Sequence, residues 1–137
     1  MADNLFKLII ISPDRKFYEG DVRMVEMVTT EGEIGVLKGH IPMTSIMKPG
    51  IVTIKEENET KRAAVHEGFV EFLQDRVTIM AEIAEWPDEI DVKRAEDAKA
   101  RAEKRLSGNG EGLDVARAEI AMRKALIRIE LVQRYKQ

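Results

Sequence analysis

Two hydrophobic periods divide the chain, and they meet at Trp86-Pro87-Asp88. Ahead of that point apolar and polar residues alternate in short runs broken by glycine. Beyond it nearly every residue is a good helix former, and apolar positions recur every three or four. Alternation puts successive side chains on opposite faces of a strand, whereas a spacing of three or four lines one face of a helix. The pattern predicts strands at 5–11, 15–18, 22–30, 51–54, 63–65, 69–73 and 77–81, with Gly32 and Gly35 punctuating 31–37. Between them lie turns at Ser12-Pro13-Asp14, Gly39-His40-Ile41-Pro42, Pro49-Gly50, Glu56-Glu57-Asn58-Glu59, His66-Glu67-Gly68 and Gln74-Asp75. Short strands spaced by about 8–12 residues predict an antiparallel sandwich or barrel.

The second period predicts an arm. Asp88 and Asp91 both suit a helix N-cap, and a first helix follows over 92–106. Ala95, Ala98, Ala102 and Leu106 share one face, where small side chains let another helix come close. Ser107-Gly108-Asn109-Gly110-Glu111-Gly112 stops that helix and reverses the chain. Asp114 caps a second helix running to about 134. The product is an antiparallel two-helix hairpin. The predicted fold class is therefore α+β, with residues 1–86 as the β module and 87–137 as the hairpin.

The second helix carries two apolar stripes. One is Leu113, Ala116, Ile120, Ile127 and Leu131; the other is Ala118, Ala121, Met122, Ala125, Ile129 and Val132. A helix on the surface of a single body needs one stripe. Two stripes predict two neighbours: the first helix, and either the sandwich or a partner. The arm thus either rests on the sandwich or moves between covers.

Charge separates the same two parts. Residues 1–90 hold 10 Lys/Arg against 17 Asp/Glu, and residues 91–137 hold 12 against 8. A basic arm on an acidic body suits docking on that body or on an acidic partner. The arm interleaves acids and has almost no aromatic residues, which argues against nucleic acid. No run approaches the roughly 20 apolar residues that span a bilayer, so no direct membrane insertion is expected. The opening Met1-Ala2-Asp3-Asn4 is acidic and resembles neither a secretory nor a transit leader. With no cysteine there is no disulfide, thiolate metal site or Cys nucleophile, and the composition suits a reducing cytoplasm.

Cations in the arm are ordered. At about 100° per residue, Arg117, Lys124 and Arg128 fall close together on the second helix. Arg94 and Arg101, seven residues apart, share a line on the first. Five cations on facing helices suit a clamp for a polyanion such as a nucleotide's phosphates, with Asp91 at its mouth for a ribose or adenine donor. The competing reading is a solvated face with intrahelical pairs such as Glu119–Arg123 and Glu130–Arg134. Equipment for catalysis is missing. There is no phosphate-binding Gly-x-x-x-x-Gly-Lys-Ser/Thr and no Gly-x-Ser-x-Gly. The two histidines, His40 and His66, lack metal-ligand spacing and read as structural. No catalytic residue, no metal site and no required cofactor are expected.

The stretch Glu33-Ile34-Gly35-Val36-Leu37-Lys38-Gly39-His40-Ile41-Pro42, then Pro49-Gly50, resembles a corner of the epsilon subunits of bacterial F-type ATP synthases. Gly68-Phe69-Val70-Glu71 and Val77-Thr78-Ile79-Met80-Ala81-Glu82 are similar to the last strands of their sandwich. Ile90-Asp91-Val92-Lys93-Arg94-Ala95 and Arg117-Ala118-Glu119-Ile120-Ala121 are similar to their two helices. The resemblance covers the whole chain in order. It departs at Lys38, often Pro, and at His66-Glu67-Gly68, more often Ser-Gly-Gly.

This resemblance implies a non-catalytic, regulatory central-stalk subunit at the cytoplasmic face of the bacterial membrane. Its sandwich binds the gamma subunit and the c-ring and couples proton flow to ATP synthesis. Its hairpin switches, on a hinge at Trp86-Pro87-Asp88, between a compact state folded on the sandwich and an extended state that reaches into the catalytic alpha/beta head and inhibits ATP hydrolysis. In a subset of the family, Ile/Leu-Asp-x-x-Arg-Ala opens a site for ATP, with or without Mg2+, as a regulatory ligand of the compact form. Ile90, Asp91, Arg94 and Ala95 match that motif. Arg101, Arg117 and Arg128 match the other basic ligands, Lys124 stands where that subset has Arg, and Glu85 lies where a carboxylate contact is expected. The alternative function is a free-standing ATP-binding sensor.

Overall fold

The structure, a computed structural model, describes residues 4–108 and 114–135. The turn residues Asn109 to Gly112 and the stripe residue Leu113 lie outside the described residues.

Eight strands come first: β1 (Phe6–Ser12), β2 (Arg15–Val22), β3 (Met24–Thr29), β4 (Gly32–Val36), β5 (Met43–Met47), β6 (Gly50–Lys55), β7 (Thr60–Phe72) and β8 (Arg76–Glu85). A short 3-10 turn (Pro87–Glu89) leads into α1 (Val92–Ser107), and α2 (Val115–Tyr135) follows. The strands form the predicted sandwich, ordered β2-β1-β8-β7-β5-β3-β4, with β6 pairing both β3 and β7. Alternation builds it: Phe6, Leu8 and Ile10 of β1, Val25 and Met27 of β3, and Val52 and Ile54 of β6 point into one core.

Four details differ from the pattern-based reading. The stretch at 22–30 is broken at Arg23, between β2 and β3. Met43–Met47 is a strand that the sequence pattern does not reveal, because Met-Thr-Ser-Ile-Met exposes most of its side chains. β1 and β8 pair in parallel, Leu8 opposite Val77 and Ile10 opposite Ile79, whereas the other pairings are antiparallel. Finally, 63–65 and 69–73 are parts of one 13-residue strand rather than two. His66-Glu67-Gly68 is no turn but the middle of β7, where the strand changes partner from β6 to β5. Glu67 (φ 53) and Gly68 (φ 151) are the local irregularity that lets it bend.

Trp86-Pro87-Asp88, read from sequence as a hinge, is fastened to the sandwich. The register of β1 against β2 slips beside Phe17, so Phe17 and Tyr18 both turn inward. Trp86 stacks on Phe17 with ring centroids 4.3 Å apart. Glu89 caps the turn by accepting from the Trp86 N–H at 2.9 Å. The Arg15 guanidinium holds both oxygens of Glu89 at 2.8 Å each.

The hairpin is built as its caps dictate. Asp91 accepts from the Arg94 N–H and Asp114 from the Arg117 N–H, each at 3.1 Å. Ala95 and Ala102 of α1 and Ala118 and Ala125 of α2 are buried, and these small residues let the two axes approach closely. α2 lies between α1 and the sandwich. Its lower end, Ile127, Leu131, Val132 and Tyr135, packs on Ile51, Ala64 and Ile90 as a second apolar cluster. Arg123 donates to the Pro49 carbonyl at 2.9 Å, and Arg62 lies over the Tyr135 ring at 4.1 Å. The first stripe is therefore covered only in part: Ile120 stays 41% exposed, and Ala116 is exposed as well.

Candidate functional site

Where α1 begins, the two helices and the end of β8 leave a cleft of about 400 Å3. The cleft has three walls. β8 contributes Ile83 and Glu85; the chain entering α1 contributes Glu89, Ile90, Asp91, Arg94 and Ala95; further along, α1 adds Ala98 and Arg101, and α2 adds Arg128. The helical period explains the α1 wall. Asp91 is fixed by its own capping bond, so Arg94, Ala95, Ala98 and Arg101 follow on the same side at steps of three and four. Ala95 and Ala98 keep the floor low, while Arg94 and Arg101 stand out into solvent on either side.

Glu85 is the electrostatic centre of this cleft. Its Oε1 accepts from Arg128 Nε at 2.7 Å and from His66 Nε2 at 3.0 Å. Burial pushes the Glu85 carboxyl up, but the hydrogen bonds from His66 and Arg128 outweigh burial and hold it below its ordinary value. The sign follows directly. A carboxyl whose folded value is depressed stabilises the fold above its unfolded value, near 4.5, and loses that contribution as pH falls through the folded value. Glu85→Gln should therefore melt below the parent chain at neutral pH, and the gap should narrow as pH falls below about 4.5 and on through the lower folded value. Melting curves across that range test this; a gap independent of pH would show that the carboxylate charge is not what binds α2.

Of the nine residues singled out from sequence, the structure brings seven to the cleft: Glu85, Ile90, Asp91, Arg94, Ala95, Arg101 and Arg128. Two are placed elsewhere. Lys124 is paired with Glu67, the residue at the bend of β7. Arg117 is exposed near the start of α2, away from the cleft lining. Arg123 turns to Pro49 rather than to Glu119, while Glu130 and Arg134 do approach each other at 3.7 Å. Of the five cations read as a clamp, three line the cleft: Arg94, Arg101 and Arg128. Sequence reasoning missed Ile83, Glu89 and Ala98 as cleft residues; the helical step of three to four from Asp91 and Arg94 points to Ala98. His40 lies against Phe72, with ring centroids 4.7 Å apart, and donates from Nδ1 to the Ile41 carbonyl at 2.8 Å. Among the described residues no group of three or more His, Asp or Glu is arranged to hold a metal ion. Nor, among them, is any helix long and apolar enough to cross a membrane.

The fold and cleft define a class: a β-sandwich bearing a folded two-helix arm, with a cleft lined by three arginines and three carboxylates at the arm's root. The chain belongs to the ATP synthase Delta/Epsilon chain family, whose β-sandwich domain matches residues 5–87 and whose long alpha-helix domain matches residues 88–133. It is 43% identical over 136 residues to the ATP synthase epsilon chain of Caldanaerobacter subterraneus subsp. tengcongensis, covering 98% of this chain and 99% of that one. It is 47% identical over 126 residues to the ATP synthase epsilon chain of Halalkalibacterium halodurans, covering 91% and 95% respectively. A chain of the Euglena gracilis mitochondrial ATP synthase, solved with OSCP, F1 and the c-ring, has the same fold: TM-score 0.81 at 23% identity, over 94% of this chain and 81% of that one.

Proposed function

We propose that the chain is a non-catalytic central-stalk subunit of a bacterial proton-translocating F-type ATP synthase, peripheral to the cytoplasmic face of the membrane. Its sandwich binds the gamma subunit and the c-ring. Its hairpin restrains ATP hydrolysis when it extends into the alpha/beta head, and ATP in the cleft favours the folded arm. The observation that carries the regulatory part is the cleft itself: with the arm folded, Asp91, Arg94 and Arg101 at α1, Arg128 from α2 and Glu85 from the sandwich line one cavity. A ligand that binds one conformation shifts the population toward it. Three guanidinium groups suit a polyphosphate, and a cleft of about 400 Å3 is within the usual range for small-molecule sites.

Exposed apolar side chains support rotor docking. Leu37 (61%) and Ile41 (76%) project from the corner between β4 and β5, and Ile46 and Phe69 stand opposite each other on β5 and β7. The incompletely covered stripe of α2 supports a second resting place for the arm.

The direct test is a thermal melt of the isolated chain with ATP, with and without Mg2+. ATP at about 100 times its dissociation constant should add roughly 2.7 kcal/mol. Arg94→Ala with Arg101→Ala, which leaves the Asp91 cap in place, should remove that gain. No shift at millimolar ATP would reject the nucleotide site.

A further inference from the structure

We infer that His66 is a positioning residue of the nucleotide cleft, acting on Arg128 through Glu85. The inference rests on the reading of the cleft as an ATP site. His66 is fully buried, on the face of β7 that packs under α2 through Ala64. It stands on the same outer face of the sheet as Ala64, Ile83 and Glu85, because Ala64 is opposite Glu85 and His66 opposite Ile83. A carboxylate only accepts, so His66 Nε2 carries the proton and donates to Glu85 Oε1.

The same oxygen receives Arg128 Nε, so two donors from β7 and α2 converge on one atom of β8. This arrangement consumes the Nε edge of Arg128 and leaves its terminal nitrogens for an anion in the cleft. Without His66, Glu85 keeps one tether and Arg128 follows it. His66 Nδ1 has no hydrogen-bond partner. A buried nitrogen without a partner opposes folding, and an apolar side chain of similar size would fill the space without that cost. What the imidazole adds over packing is therefore the donor aimed at Glu85.

The test is calorimetric titration of the full chain with ATP at fixed Mg2+. His66→Leu should weaken binding at least tenfold. His66→Gln, whose amide reaches toward the same carboxylate, should stay within about threefold. In a Glu85→Ala background, which removes the acceptor, the His66→Leu step should have no further effect, since residues acting through one contact are coupled. Equal losses in His66→Leu and His66→Gln, or a loss that persists in the Glu85→Ala background, would overturn the inference. Should His66→Leu fail to fold, nitrogen shifts of His66 in the parent chain decide. Protonated Nε2, bare Nδ1 and an Nε2 signal that moves with ATP are expected, and a signal indifferent to saturating ATP would overturn the inference. A parent chain that binds no ATP rejects the site as a whole, whereas binding indifferent to His66 rejects only this role.

Discussion

Gly68→Ala is expected to destabilise the sandwich by about 3–5 kcal/mol. Gly68 holds φ at 151°, a region L side chains rarely adopt. A Cβ there would run into the Met80 carbonyl oxygen and come within 2.9 Å of the Ala81 Cα. Both atoms are backbone of β8, which cannot retreat without breaking the ladder that joins Gly68 to Ala81. Gly32→Ala is the internal control. Gly32 also has positive φ, 125°, but nothing lies within 4 Å of its would-be Cβ. Only conformational strain applies there, at about 1–2 kcal/mol. Urea unfolding of the two variants compares them directly. Equal losses would mean that the close approach at β8 relaxes freely and that β7 is not pinned at its bend.

Leu131→Ala is expected to weaken docking of the arm by about 3 kcal/mol while sparing the sandwich. Leu131 is fully buried, yet it belongs to the small cluster with Ile90 and Ala64 and not to the sandwich core. The polar links beside it, Arg128 to Glu85 and Arg123 to the Pro49 carbonyl, are partly solvated and cannot replace a buried leucine. Native-state hydrogen exchange should show α2 amides exchanging about 100-fold faster, with amides of β1 and β8 unchanged. On the proposed function, the same variant in the assembled enzyme should make hydrolysis more strongly inhibited at a given ATP concentration, because the extended arm gains population. Loss of protection in β1 and β8 to the same degree as in α2 would show that arm and sandwich unfold as one unit.

Both substitutions act at places the sequence describes unevenly. The helical arm is legible almost to the residue: Asp91 and Asp114 cap it as their side chains dictate, and the alanine face of α1 becomes its buried face. Those signals are local, since a cap bonds three residues ahead and a stripe repeats within two turns. β5 and the parallel pairing of β1 with β8 are not legible, because each depends on strands distant in sequence. A helical wheel places Lys124 beside Arg128, yet one meets Glu67 and the other Glu85. The bend in β7 decides that division, and nothing in the spacing of the arm encodes it.

His66 shows the limit most clearly. As a lone histidine between two apolar runs it reads as a turn residue. Its burial arises because one face of β7 meets the sandwich core through Ala63 and Val65 while the other lies under α2 through Ala64. The amino-acid sequence by itself determined the strand and helix periods, the caps, the basic arm and the run from Ile90 to Arg101 that forms one wall of the cleft. Tertiary structure alone decided the opposite wall, the partners of Lys124 and Arg128, and the fastening of Trp86 and Glu89 to the sandwich. Those outcomes turn on which surfaces meet across long stretches of chain, where burial and charge pairing act without regard to sequence distance.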